Sequence, residues 1–350
     1  MMQKSDAKKK PPTIKEVAAH AGVSVMTASR AVNGKALVSV KARRAVDLAV
    51  KELGYVPNAS ARALAGSADR RVALLHSNST TSAYLGELLL GALSEAQQRH
   101  LHLVVEQCAP GAFAEEIVEQ VAHAHVAGVM LPPPLCDWAE LVDGLRARDI
   151  AMVAIATDRD SPDMLSVATD DRHAAYDLTR HLIELGHRRI GFIEGNPRHR
   201  SSARRLQGYK DALVHHALEL DDALIVPGDF SYRSGLDAAE KLMALAERPT
   251  AIFACNDDMA AAAITVAHQR KINVPAEISI CGFDDTPLAS AIWPALTTIR
   301  QPIRDMSREA IGLLAMRFRS QDDGADGIIG KVKLDYQLIR RQSDAVPARH

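Results

Sequence analysis

The side chains able to carry out covalent chemistry are present, but their spacing does not combine them. His187 lies in Gly186-His187-Arg188-Arg189, His215 and His216 are neighbours, and His123 and His125 flank one alanine. The first two groups read as loop or surface histidines, and the third matches no ligand pattern. GxSxG, HExxH and GxxxxGK[ST] do not occur, so acyl transfer, zinc hydrolysis and nucleotide cradling lose their usual signatures. Cys108, Cys136, Cys255 and Cys281 form no CxxC pair. Cys255 and Cys281 sit in apolar, strand-like runs, which fits buried free thiols in a cytosolic protein. Neither an enzyme nor a metal or cofactor site is expected.

The chemistry that the residues do suit is contact with a polyanion. Through residue 68 the charge balance is +8, beyond it −9, and the chain totals −1. A basic head on an acidic body points to a head that alone meets nucleic acid. Lys8-Lys9-Lys10 by itself is an ordinary solvated tail; it gains weight only from the helices after it. Thr13-Ile14-Lys15-Glu16 is a capping box, with Ile14, Val17, Ala18 and Ala21 at helical spacing and Gly22 as the stop. Ser24 caps a second helix, Val25 to Val32, closed by Asn33-Gly34. Two short helices joined by a glycine-containing turn make a helix-turn-helix. Ser39 starts a third helix, whose Val40, Ala45, Val46, Leu48, Ala49 and Leu53 are expected to cover the first two before Gly54 ends it.

These elements resemble a known signature. Thr13 to Ala18, Ala21 to Ser24 and Thr27 to Asn33, together with Leu53-Gly54-Tyr55-Val56-Pro57-Asn58-Ala59-Ser60-Ala61-Arg62-Ala63-Leu64, are similar to the headpiece of the lactose/galactose repressor (LacI/GalR) family. The likeness runs over essentially the whole chain after residue 12. It implies that Val25, Met26, Thr27 and Arg30 enter the DNA major groove, Arg30 as a bidentate partner for guanine. Thr13, Ser24, Ser29 and Asn33 then suit phosphate. Asn58 to Gly66 resembles the family's hinge helix, with Leu64 in the place of the wedge that opens the central base step. Docking onto the effector domain is the plainer reading of Leu64.

The expected organisation is a basic flexible tail over 1–12, an all-α helix-turn-helix headpiece over 13–57, a hinge helix and linker over 58–70, an α/β effector and dimerisation domain over 71–342, and a tail over 343–350. Strand-like runs at Val72–Leu75, Leu101–Val105, Gly128–Leu131, Met152–Ile155, Ile190–Glu194, Ala223–Val226, Ala251–Cys255 and Ile278–Phe283 alternate with helical ones such as Leu85–Arg99 and Arg172–Leu185. This rhythm argues for doubly wound parallel sheets, and eight or more units argue for two of them. The family's body resembles periplasmic sugar-binding proteins. Its first lobe is expected at about 71–168 plus 300–330 and its second at 169–298 plus 331–342, with crossovers near 168–171, 298–301 and 328–332.

Periodicity cannot select ligand residues; the resemblance does. Ser202-Ala203-Arg204-Arg205-Leu206-Gln207-Gly208-Tyr209 looks like the family's effector-anchoring segment, with Arg205 at the anchor. Asn256, after Ala254-Cys255, and Asp284, in Gly282-Phe283-Asp284-Asp285, come directly after strands and suit hydroxyl pairs. Phe230 holds the aromatic platform position. Tyr84 and Trp293 are weaker candidates. Each has a plainer reading: a surface ion pair for Arg205, helix N-caps for Asn256 and Asp284, core for Phe230. Sugar-binding relatives often carry an acidic residue after the Met152–Ile155 strand, where Ala156-Thr157 stands here. One hydroxyl contact is therefore expected to be missing or water-mediated.

The resemblance implies a cytoplasmic repressor with double-stranded operator DNA and a small carbohydrate effector, a sugar or glucoside, as partners. A purine or nucleoside co-repressor on the same architecture is the alternative; aromatic residues at 4% of the chain favour sugar. No apolar run is long enough to cross a membrane, and no secretory leader is evident. Leu338 to Pro347 is short, polar and broken by proline, so it offers no heptad seam, and a homodimer is expected.

Overall fold

The computed structural model describes residues 12–32, 38–55, 70–77, 82–109, 111–157, 164–322 and 330–348. The chain divides into two compact units, Met1–Asp69 and Arg70–His350.

The first unit holds α1 (Ile14–His20), α2 (Val25–Val32) and α3 (Val40–Leu53). Local chemistry sets their ends. The Glu16 carboxylate accepts the Thr13 backbone N–H at 2.5 Å, the Ser24 hydroxyl accepts the Thr27 N–H at 3.1 Å, and the Ser39 hydroxyl accepts the Ala42 N–H. Gly54 ends α3 at a φ of +62°, in the left-handed region where glycine has no Cβ penalty. Val17, Ala18, Ala28, Ala31, Val46, Ala49 and Tyr55 form the core. Val40 and Leu48 do not join it, contrary to expectation: they are 72% and 63% exposed. The inward stripe of α3 runs through Val46, Ala49, Val50 and Leu53, and Leu48 lies about 200° around the helix from Val46.

Among the described residues, the second unit contains two six-stranded sheets. The first comprises β1 (Arg71–His76), β2 (His102–Gln107), β3 (Gly128–Leu131), β4 (Ala151–Ile155), β5 (Leu165–Ala168) and β11 (Lys331–Lys333). Its order is β11-β5-β4-β3-β1-β2, with every pairing parallel. The second comprises β6 (Ile190–Ile193), β7 (Ile225–Val226), β8 (Ala251–Ala254), β9 (Ser279–Asp284), β10 (Thr297–Arg300) and β12 (Gln337–Ile339). Its order is β12-β10-β9-β8-β6-β7, and only β12 runs antiparallel. Most of these strands are buried on both faces, as doubly wound sheets require.

Helices cover both sheets: α4 (Ser82–Gln98), α5 (Ala114–His123), α6 (Ala139–Ala147) and α12 (Ile303–Asp322) the first, and α7 (Asp171–Glu184), α8 (Arg200–His215), α9 (Tyr232–Met243), α10 (Asp257–Gln269) and the short α11 (Pro287–Ala291) the second. The four cysteines are buried free thiols.

The chain passes between sheets at 169–170, 301–302 and 334–336. The third passage lies later than the expected 328–332, and residues 331–333 belong to the first lobe. Lys331 to Lys333 pair with Ser166 to Ala168, continuing that sheet before the chain returns. Nor is all of 343–350 a tail. Ser343 is fully buried; its hydroxyl accepts the Thr297 N–H at 2.8 Å and donates to the Ile280 carbonyl. Asp344 pairs with His181 at 2.7 Å, and the Ala345 carbonyl meets His187 at 2.9 Å. This stretch is short and polar yet satisfies buried groups of the second lobe.

Candidate functional site

In the headpiece, the inward alanines of α2, Ala28 and Ala31, leave the opposite face outward. Val25 and Met26 are 45% and 64% exposed. Arg30 is exposed and Thr27 and Ser29 are half-buried. The Thr27 hydroxyl bonds that of Ser24 at 2.8 Å, and the Thr13 hydroxyl donates to Glu16 at 2.8 Å. Apolar and cationic side chains thus share one outward helix face, a set of groups chemically suited to contact base edges. Asn33, Asn58 and Leu64 lie outside the described residues.

In the second unit, Asn256 and Asp284 stand at the carboxyl ends of β8 and β9, where doubly wound sheets have their switch points. Arg205, on α8, is 4% exposed. Its Nε–H donates to Asp171 at 2.8 Å and one Nη donates to the Cys255 carbonyl at 2.5 Å. Asp284, at the end of β9, lies 3.7 Å away. The guanidinium lies over the Phe283 ring at 3.7 Å and 5.9 Å from the Phe230 centroid. The ion pair is real but buried, not on the surface. Burial works against the guanidinium charge, and the Asp171 and Asp284 carboxylates more than restore it, so its pKa is raised. Burial also lifts both carboxyls, that of Asp284 to about 7, while Arg205 pulls each back down.

Asp284 accepts the Gln301 side-chain N–H at 2.6 Å, and the Gln301 Oε1 accepts the Thr169 hydroxyl at 3.2 Å. Gln301 and Thr169 belong to two different crossovers. One ion pair and two hydrogen bonds therefore link the buried cation to both crossovers. Sequence reasoning missed Asp171 and Gln301; their position directly after strands β5 and β10 was the available signal.

Asn256 caps α10, in keeping with its plainer reading: its Oδ1 accepts the Met259 N–H at 2.9 Å, and its Nδ2 donates to the Phe230 carbonyl at 2.8 Å. Asp284 caps no helix; α11 is preceded by Thr286, whose N–H goes to Asp257 at 2.7 Å. Phe230 joins the core and also lies beside Arg205. Its ring packs on Gly195 so closely that a Cβ there would come within 2.1 Å of it. Phe230, Asp284 and Asp285 all have positive φ, at 73°, 112° and 55°. Such backbone costs about 1–3 kcal/mol per residue and gathers at functional sites.

Tyr84, on α4, has a half-buried ring and a fully enclosed hydroxyl without a partner among the described residues. Burial raises its pKa far above the ordinary value. His199, directly before α8, is 6% exposed; burial, then Arg205, push its pKa down to about 4. Trp293 is 75% exposed, and the structure does not bring it into this buried cluster.

Beside Ala156-Thr157, after β4, the structure places the carboxylate of Asp137. Thr157 donates its hydroxyl to Asp137 at 2.6 Å, and Asp137 also accepts the Arg200 N–H at 3.0 Å. Asp137 lies after β3, so no alignment of the β4 segment would reveal it. It borders an open recess of about 680 Å³ lined also by Ser77, Cys108, Trp138, Asn196 and Arg198.

Residues 13–58 match the model of bacterial regulatory proteins, lacI family, and residues 179–343 that of the periplasmic binding protein-like domain. The HTH-type transcriptional regulator AscG of Escherichia coli (strain K12) is 32% identical, over 96% of this chain and 99% of AscG. A solved transcriptional regulator CelR–cellobiose complex is 32% identical with a TM-score of 0.72, over 95% of this chain and 99% of that one. The lac repressor dimer bound to operator and the anti-inducer ONPF superimposes with a TM-score of 0.80 at 27% identity, over 96% and 100%.

Proposed function

The chain belongs to the lacI family of bacterial regulatory proteins, and from that premise we propose that it is a homodimeric, sequence-specific repressor whose operator affinity is set by a small carbohydrate bound between the two lobes. As a member of that family it is a transcriptional regulator. The lac repressor relative is a dimer on its operator, and two headpieces per dimer match two half-sites. In this reading α2 lies in the major groove, with Arg30 on a guanine edge and Val25 and Met26 against thymine methyls. Thr13, Ser24 and Ser29, with Asn33 beyond the described residues, position it on phosphate. The wedge role of Leu64 and the place of Asn58 among the DNA-binding residues rest on the family resemblance.

The observation that carries the allosteric part is the chain of contacts Arg205–Asp284–Gln301–Thr169, an ion pair at 3.7 Å followed by two hydrogen bonds. A ligand shifts an equilibrium only by binding its two states unequally. A sugar that bridges Arg205, Asn256, Asp284 and Phe230 on one lobe to Tyr84 on the other favours closure and perturbs the crossovers directly. Closure changes how the two subunits' lobes meet, and release of DNA is the expected result. The CelR relative is solved with cellobiose, and the recess beside Asp137 and Trp138 has room for an aglycone or a second sugar ring.

The test is a thermal-shift panel of sugars, glucosides and nucleobases, since a cleft ligand stabilises the folded state by mass action. Each hit is then carried into operator titrations with and without it. A sugar that raises the melting temperature and lowers operator affinity is the expected result. Stabilisation by a nucleobase alone, or a bound sugar without effect on operator affinity, would overturn the reading.

A further inference from the structure

The residues expected to face a ligand are largely engaged with the protein. Both ends of the Asn256 carboxamide are used, Asp284 accepts from Gln301, and Arg205 gives Nε and one Nη to Asp171 and Cys255. Two neighbouring polar atoms differ. His199 Nε2 and the Tyr84 hydroxyl are enclosed and have no hydrogen-bond partner among the described residues. A buried polar atom left unpaired is costly, and native structures hold few of them. The two other such atoms described, Arg189 Nε and His216 Nε2, sit before the amino end of β6 and beyond the far end of α8, away from the strand carboxyl ends.

His199 and Tyr84 come from opposite lobes and both feel the charge of Arg205. The His199 ring lies 5.0 Å from that of Phe230. We propose that His199 is a specificity-determining contact for the effector: its Nε2 hydrogen-bonds a hydroxyl of the bound sugar from the second lobe while the Tyr84 hydroxyl does so from the first. This rests on the carbohydrate reading above. Each lobe then carries one polar atom that is satisfied only when a single ligand spans the cleft.

The chemistry selects for hydroxyls. Burial and the neighbouring guanidinium keep the imidazole neutral at physiological pH. A neutral imidazole nitrogen is either a donor or an acceptor, according to tautomer. A hydroxyl can answer both, whereas a carboxylate or phosphate oxygen answers only the donor. A second cation beside Arg205 would draw anions; a neutral ring adds hydrogen-bonding specificity without that pull.

The experiment uses the full chain labelled with 15N-histidine, with the His199 signals assigned by their loss in His199→Leu. Glucose, galactose, ribose, cellobiose, adenine and hypoxanthine are each titrated by NMR and by thermal shift. A sugar that stabilises the protein should move the His199 Nε2 resonance. His199→Leu should weaken that sugar about tenfold, and His199→Gln, which can both donate and accept, should recover part of the loss. Without ligand, His199→Leu should melt about 2 °C higher, because an unpaired buried nitrogen is gone. A lower ligand-free melting temperature would show that Nε2 already has a partner and would overturn the proposal. A stabilising sugar that leaves both the His199 signals and the leucine variant's affinity unchanged overturns the His199 role and leaves the carbohydrate reading standing. Stabilisation by a nucleobase alone overturns that reading, and this one with it.

Discussion

Arg205 is the side chain whose loss should be felt most widely, and its effect is first on stability. The guanidinium is 4% exposed and stands between two carboxylates that are 7% and 6% exposed, Asp171 and Asp284. Arg205→Met keeps much of the volume and the contact with Phe283 but strands both carboxylates without a counter-charge. Breaking a buried pair by removing one partner costs about 3–5 kcal/mol. For a unit of this size that lowers the melting temperature by roughly 6–15 °C. The deficit should depend on pH in a definite sense. Burial already raises both carboxyl pKa values, and without Arg205 they rise further. A carboxyl whose folded pKa lies above its unfolded value contributes most at low pH and loses that contribution as pH rises through the folded pKa. The gap between wild type and Arg205→Met should therefore narrow from pH 8 to pH 5. Arg205→Lys, which retains charge but loses the fork and much of the stacking, should fall between. The assay is urea unfolding of all three proteins at four pH values. A gap of less than about 1 kcal/mol, or one that does not change with pH, would refute the electrostatic account. Loss of effector response in Arg205→Ala is expected but is not by itself diagnostic, because the same substitution unfolds the site.

Three further outcomes are expected. Arg30→Ala should weaken operator binding by about 1–3 kcal/mol and relax preference at one position per half-site; equal loss on operator and random DNA would remove the base-reading role. A stop after Gln342 deletes the Ser343 bonds to Thr297 and Ile280 and the Asp344 pair with His181. It should cost on the order of 3 kcal/mol, and an unchanged melting curve would make this segment a passenger. His199, with its pKa lowered from an ordinary 6.5 to about 4, must take up a proton on unfolding in acid, so the folded state loses about 3 kcal/mol of stability between pH 6.5 and pH 4 relative to a chain without that titration; burial of His187 acts in the same direction. His199→Leu should flatten that limb in urea midpoints measured from pH 7 to pH 4, and an identical slope in wild type and variant would contradict the assignment.

The headpiece was legible because its signals are local. A capping carboxylate at Glu16, hydroxyls at Ser24 and Ser39 and a left-handed glycine at Gly54 act within four residues of their targets. A sequence window contains both partners of each interaction. The alternation of strand and helix in the body is likewise a local period, and it was enough for two doubly wound sheets. It could not say which sheet takes Lys331 to Lys333, because that depends on pairing with Ser166 to Ala168, far away in the chain. Val40 and Leu48 were misjudged for a related reason: apolar character is visible in sequence, but the face that α3 turns inward is set by the helices it meets.

At the candidate site the division is sharper. Arg205, Asn256 and Asp284 could be singled out only by resemblance, and resemblance could not say that all three would have their hydrogen bonds so largely answered by protein. Asp171, Asp137 and Gln301 carry no motif; they matter because the carboxyl ends of β5, β3 and β10 bring them to Arg205, Thr157 and Asp284. His199 is one histidine of fourteen in the sequence, and only the packed structure encloses its Nε2 without a hydrogen-bond partner among the described residues. Sequence alone determined the elements and the class of molecule, since both are written in short-range patterns. Tertiary structure decided which polar groups are buried, which are answered and which are not, since desolvation and hydrogen bonding depend on neighbours that the chain brings together only when it folds.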